Sequence, residues 1–243
     1  MNLTWFEQNE ADVPPDNQWL SERELLGLAA MSIAKRRADW RLGRWTAKQA
    51  VAAVLNLPIA LANIEICPAP SGAPEVFLNN HPADIAISLS HRDGTALCTA
   101  APIGTIFGCD LELIEPRSDA FVSDYFTADE KTLVHQTPEE KRALLLALIW
   151  SGKESALKAL RVGLRLDTTC MSVRPVAWLQ PSKRGQDWHR LQVCYSAGQG
   201  FGGWWRVQNN LVRTVVSDPP LSAPRRAPSI GRDVACDVSF SGR

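Results

Sequence analysis

Two long runs of helical periodicity, each followed by a series of short extended segments, constrain this chain more than any other feature. Between residues 32 and 55, Ile33, Trp40, Ala47, Val51, Val54 and Leu55 recur at helical spacings with basic residues between them, and Pro58 closes the run. The second run opens at Thr137-Pro138-Glu139-Glu140, a capping residue before proline with acids in the first turn, and continues to Leu160 before Gly163 stops it. Thr127-Ala128-Asp129-Glu130 marks another helix start, since Thr127 can cap and Glu130 can reciprocate. Extended segments at 63–67, 75–78, 84–89, 95–100 and 105–113 follow the first run, and others at 171–179, 188–195, 203–207 and 211–216 follow the second. The turn-rich stretch Pro68-Ala69-Pro70-Ser71-Gly72-Ala73-Pro74 separates the first two, and short links such as Pro102-Ile103-Gly104 favour antiparallel pairing.

The order helix, strands, helices, strands predicts an α+β chain whose two halves each combine helices with a small sheet. The division is placed at 118, giving parts 1–118 and 119–218. Residues 219–243, with Pro219, Pro220, Pro224 and Pro228 among serines and arginines, read as a flexible tail. No direct residue-level repeat is visible between the halves.

Charge refines this picture. The chain balances 26 basic against 26 acidic side chains, so no global field draws it to nucleic acid or to a membrane surface. The balance is a sum of opposed blocks: residues 1–30 and 107–130 are acidic, while 31–50 and 150–165 are basic. No apolar run approaches the roughly 18–20 residues of a membrane helix. The beginning lacks a basic-then-apolar signal pattern, so a cytoplasmic location is the expectation. The six cysteines are scattered without a Cys-x-x-Cys pair, which argues for reduced thiols rather than a disulfide frame or a zinc site.

Two segments carry the chemistry. In Gly108-Cys109-Asp110-Leu111-Glu112, strand alternation puts Asp110 and Glu112 on one face and Cys109 and Leu111 on the other. Adjacent carboxylates repel unless a cation or hydrogen-bond donors offset them, and their oxygens suit Mg²⁺. Taken alone, the pentad equally describes a solvent-facing strand end. In Trp150-Ser151-Gly152-Lys153-Glu154-Ser155-Ala156-Leu157-Lys158, Glu154 and Lys158 share a helix face. They form either a surface ion pair or a third carboxylate and an ammonium presented to one phosphorylated ligand.

In this order, the two segments resemble the signature of the 4′-phosphopantetheinyl transferases, particularly the surfactin-synthetase-activating type: a Gly-x-Asp-x-Glu strand, then a Trp-x-x-Lys-Glu-x-x-x-Lys helix. The basic Trp40-Arg41-Leu42-Gly43-Arg44, the turn Ser88-Leu89-Ser90-His91, the element Phe126-Thr127-Ala128-Asp129-Glu130 and Gly163-Leu164 add to the likeness. The resemblance spans 37–166. It implies a monomeric pseudo-dimer of two similar subdomains, each a small mainly antiparallel sheet packed with helices, with coenzyme A and Mg²⁺ in the cleft between them. The implied activity is transfer of 4′-phosphopantetheine from coenzyme A to a serine of an apo acyl or peptidyl carrier protein, releasing adenosine 3′,5′-bisphosphate.

On this resemblance Asp110, Glu112 and Glu154 are expected to hold Mg²⁺, and Glu154 or Lys158 to take the serine proton. Arg44, Lys48, Gly72, Ser90, His91, Asp110, Lys153 and Lys158 are expected to bind coenzyme A, with His91 on its 3′-phosphate. One departure is Gly72-Ala73-Pro74, where the family usually has lysine between glycine and proline. Phe121, Tyr125 and Phe126, with Arg117, offer an apolar patch for the carrier, although core packing explains the aromatics as well. Two rival readings use the same residues: a non-catalytic module that binds coenzyme A or a carrier protein, and a Mg²⁺-dependent nucleotide pyrophosphatase.

Overall fold

The structure, a computed structural model, describes residues 3–56, 59–176 and 188–227. In chain order they form β1 (Thr4–Asn9), α1 (Glu22–Ala29), α2 (Ala34–Leu55), β2 (Ile64–Pro68), β3 (Pro74–Leu78), β4 (His81–Pro82), β5 (Ile85–Arg92), β6 (Thr95–Pro102) and β7 (Ile106–Leu113). Then come α3 (Asp119–Tyr125), α4 (Ala128–Gln136), α5 (Glu139–Ala159), β8 (Met171–Pro175), β9 (His189–Tyr195), β10 (Gly200–Gln208), β11 (Leu211–Asp218) and β12 (Arg225–Arg226). Pro58, the end of the expected 171–179 strand and residues 228–243 lie outside the described residues.

The α+β expectation holds, and the two halves share one plan. The second half is a single sheet in the order β7-β11-β10-β9-β8, and α5 packs Leu145, Leu148, Ile149, Ala156 and Leu157 into the core above it. The first half has a sheet in the order β12-β1-β6-β5 and a separate small sheet in the order β2-β3-β4, whose β3 lies against β5. Its helix α2 buries Trp45, Ala47, Ala50 and Val51 in the matching core. A third cluster, including Trp5, Leu97, Phe107, Cys109, Leu111 and Val215, joins the halves.

The pairing differs from the expected division in one respect. β7 falls within the 1–118 part, yet it ladders along its whole length with β11, Asp110 opposite Thr214, in the second sheet. Among the described residues, each hydrogen bond tying it to β5 involves a side chain, as where Cys109 N–H donates to Ser88 Oγ at 3.0 Å. The acidic strand is therefore the seam of the molecule. Part of the expected tail is also ordered. Arg225 and Arg226 pair in parallel with Thr4 and Trp5, and the Trp204 indole donates to the Leu221 carbonyl at 3.1 Å.

Local signals explain several boundaries. Thr127 and Glu130 form the expected capping box of α4, and Ser21 and Glu24 form an equivalent one for α1, a helix the periodicity does not show. Thr137 does not cap α5; its hydroxyl donates to the Leu133 carbonyl at 2.7 Å and ends α4 instead, leaving Pro138 as the residue before α5.

The contact between β7 and α5 is close enough to require glycine. A β-carbon on Gly108 would lie 2.1 Å from the Ser155 carbonyl oxygen and 2.7 Å from the Ala159 nitrogen, both backbone atoms that cannot swing away. Gly108→Ala is expected to cost about 1–3 kcal/mol or more through overpacking. It should also move Asp110 away from Lys158, so that activity falls further than the folded fraction does. Urea denaturation and an activity measurement on the folded protein check this; an alanine variant matching the native protein in both would mean the strand shifts freely.

Candidate active site

β5, β7 and α5 deliver three side chains to one oxygen. Asp110, 4% exposed, accepts the Ser90 hydroxyl at 2.8 Å and the Lys158 ammonium at 2.7 Å, both on Oδ1. Its other oxygen, Oδ2, is buried without a hydrogen-bond partner among the described residues. Burial alone would lower the Lys158 pKa, but Asp110, then Cys109 and Glu154, hold it above the ordinary lysine value.

Two residues along β7, Glu112 accepts the Trp150 indole N–H at 3.1 Å and an Arg117 N–H at 3.1 Å. Burial, followed by repulsion from Asp110, raises its pKa against the pull of Arg92 and Arg117. Among the described residues Glu154 has no partner of this kind. Desolvation, with Asp110 and Glu112 adding to it and Lys158 opposing, pushes its carboxyl up to about 7.

Asp110 and Glu112 of β7 and Glu154 of α5 thus act on one another electrostatically. As they stand, these carboxylates are not gathered into a metal cage; among the described residues no group of three His, Cys, Asp or Glu is so arranged. The donor set nevertheless fits Mg²⁺. It consists of carboxylate oxygens, one of them an unsatisfied buried atom, where burial first and repulsion between the carboxylates second raise the pKa values of Glu112 and Glu154.

Lys158 also opens onto a cavity of about 330 Å³ lined by the turn Ser71-Gly72-Ala73-Pro74, by Ser88 and Leu89 of β5, and by Arg161. Gly72 belongs there because its φ of +89° lies where only glycine is unstrained, and its N–H closes the turn onto the Ala69 carbonyl at 2.8 Å. On the far side of Ser90, His91 shares a second depression with Lys35, Arg36, Asp39 and Trp40. Desolvation lowers the His91 pKa, with Asp39 opposing and Lys158 and Lys35 adding to the fall.

Other expected binding residues point elsewhere. Lys153, with a side chain 0% exposed, donates to the carbonyls of Tyr125, Thr168 and Met171 at 2.9 Å each and pairs with Glu130 at 2.8 Å. Lys48, also 0% exposed, donates to the carbonyls of Trp19 and Leu61 and pairs with Glu24 at 2.5 Å. Neither ammonium reaches the cleft. Both are corrected to structural anchors, because a buried lysine whose donors are already satisfied has nothing left for a phosphate. Arg44 lies between, stacked over Trp40 and 3.7 Å from Glu24. Arg37 and Arg41 of the same helix bond to backbone carbonyls of Leu28, Met31, Pro15 and Asp16. The cations of the basic helix that do stand beside His91 are Lys35 and Arg36, which periodicity alone did not separate from their neighbours.

Lys48 and Lys153 expose the missing repeat. Each follows a tryptophan by three residues and pairs with the glutamate of a capping box; that glutamate's other oxygen accepts a strand N–H, from Ile66 in one half and Val173 in the other. Where the second half has Glu154 and Lys158, the first has Gln49 and Ala53. The scaffold is duplicated, but only one copy carries the reactive groups.

Phe121, Tyr125 and Trp150 form a mutual aromatic cluster with centroids 5.0–5.2 Å apart, and Arg117 lies over the Phe121 ring. Tyr125 remains 40% exposed, whereas Phe126 is core. Among the described residues no helix is long and apolar enough to cross a membrane.

Among solved structures the chain is similar to a holo-(acyl-carrier-protein) synthase from Bacillus anthracis str. Ames in complex with CoA (3′,5′-ADP). That likeness has 15% identity and a TM-score of 0.36, over 41% of this chain and 92% of that one. It is also similar to the Helicobacter pylori holo-[acyl-carrier-protein] synthase in complex with coenzyme A, at 16% identity and a TM-score of 0.33, over 41% and 98%. No curated protein sequence matches the chain. Residues 106–208, from the start of β7 to the end of β10 and including Asp110, Glu112, Glu154 and Lys158, match the family model of the 4′-phosphopantetheinyl transferase superfamily.

Proposed function

We propose that the protein transfers 4′-phosphopantetheine from coenzyme A to a serine hydroxyl of an apo acyl or peptidyl carrier protein, releasing adenosine 3′,5′-bisphosphate. The observation that carries this reading is the convergence of Asp110, Glu112, Glu154 and Lys158 beside a cleft, within the stretch that matches the superfamily. In the reaction the serine oxygen bonds to the β-phosphorus and the bond to the nucleotide 5′-phosphate breaks.

Lys158, fixed by Asp110, meets a phosphate oxygen of the diphosphate, and Glu154 takes the serine proton. Ser90 and Lys158 fix the rotamer of Asp110 by sharing Oδ1. His91 with Lys35 and Arg36 forms the pole for the 3′-phosphate. Asp110, Glu112 and Glu154 would hold Mg²⁺, which when bound offsets charge on the diphosphate oxygens. The carrier docks on the side of the exposed Tyr125 edge, next to Trp150 and Glu112. Because one chain supplies both halves, a monomer is the proposed working unit.

Incubation with coenzyme A, Mg²⁺ and a panel of apo carriers, followed by mass spectrometry of each carrier, tests this. A mass gain equal to phosphopantetheine is expected on at least one. Coenzyme A cleavage without a carrier would favour a pyrophosphatase, and binding without any turnover a non-catalytic module.

A further inference from the structure

Seven non-glycine residues among those described adopt positive φ, and six of them are Asn or Asp, the side chains that tolerate the left-handed region. The seventh is Arg161, at φ +57°. It stands just past α5, where Arg161 N–H donates to the Lys158 carbonyl at 3.0 Å and Val162 N–H to the Leu157 carbonyl at 3.2 Å. That double bond pattern ends helices on a left-handed residue, ordinarily glycine and sometimes asparagine. The matching helix of the first half follows the rule, ending on Asn56 at φ +48°. A long cationic side chain at Arg161 is thus the costly choice at this position, and strained residues of this kind cluster at ligand clamps.

The surroundings show what the cation can serve. Arg161 is exposed and lines the same cavity as Lys158 and the 71–74 turn. Among the described residues these two are the only charged side chains lining it; Lys158 is already paired with Asp110 at 2.7 Å, whereas no carboxylate among the lining residues meets Arg161. Ala73 in the facing turn adds no charge. A cavity with two cations, one turn of helix apart at one wall, fits an anion that spans more than one phosphate.

We infer that Arg161 is a binding residue for the diphosphate of coenzyme A, acting beside Lys158, and that its left-handed backbone is retained for this contact. The inference rests on the reading that the cleft takes coenzyme A. Because the 3′-phosphate is assigned to the His91 pole, Arg161 should not distinguish coenzyme A from 3′-dephospho-coenzyme A.

The test uses Arg161→Asn and Arg161→Gly, both suited to the backbone, with calorimetric titration of coenzyme A and of 3′-dephospho-coenzyme A. Both variants should melt at or above the native temperature. Each should lose about tenfold or more in affinity for both ligands, by about the same factor, as expected for one charge-assisted contact. In carrier modification, KM for coenzyme A should rise with kcat nearly unchanged, and Arg161→Lys should recover most of the affinity. Native affinity in the Asn and Gly variants overturns the inference. So does a loss confined to coenzyme A, which would move Arg161 to the 3′-phosphate. If the native protein binds neither ligand, the functional reading itself fails, and the inference with it.

Discussion

Replacing Glu154 with glutamine is expected to reduce turnover by about 10²-fold or more, the scale of losing a positioned general base, while the protein stays folded. Glutamine keeps the shape but can neither take the serine proton nor contribute a charged oxygen to a cation. Its effect on stability has the opposite sign. The Glu154 carboxyl titrates near 7 in the folded protein, for reasons of desolvation first and Asp110 second, against about 4.3 in an unfolded chain. A carboxyl with a raised folded pKa imposes no penalty below the unfolded value. The penalty grows between the two and is complete above the folded one. In metal-free buffer the variant should therefore melt at or above the native temperature at pH 8, with the difference closing by about pH 4. Carrier mass spectrometry gives the first quantity and calorimetry across pH the second. A much lower melting temperature at pH 8 would make Glu154 a structural residue.

One position earlier in the same motif, the expected result reverses. Lys153→Met should cost about 3–5 kcal/mol, the usual consequence of leaving one member of a buried ion pair alone, because Glu130, 2% exposed, would lose its cationic partner. Three carbonyls that now accept from Lys153 would lose that donor as well. Lys48→Met should behave alike, since Glu24 stands in the same relation to it. The lower midpoint of urea denaturation is the readout. Adding Glu130→Gln to Lys153→Met should recover part of the loss, as removing both charges costs less than removing one. A Lys153→Met protein with native stability and a raised KM for coenzyme A would return Lys153 to the phosphate site.

The contrast between these neighbours shows why a motif reading stops where it does. Glu154 and Lys158 share a face by helix period, and that was legible. Lys153 precedes Glu154 by one residue, a turn of about 100° around the axis, and so faces the core. Whether that core holds acceptors for an ammonium depends on Glu130 and on the carbonyls of Tyr125, Thr168 and Met171, none of which periodicity brings near. Lys48 failed for the same reason. The repeat escaped detection because the two copies share a tryptophan, a lysine and a capping box, while their strands and loops diverged in length and sequence. Arg161 left no periodic signal at all, since its peculiarity is a backbone angle.

By itself the sequence determined the alternation of helices and strands, the shared face of Asp110 and Glu112, and the shared face of Glu154 and Lys158. These follow from local periods of two and of three to four residues. The tertiary structure alone decided that β7 belongs to the second sheet, that Lys48 and Lys153 anchor the two cores, and that Ser90 and Lys158 meet on one Asp110 oxygen. It also decided that Arg161 faces the cleft. Those outcomes depend on which buried polar groups find partners across distant segments, and burial leaves each of them little choice but to be satisfied.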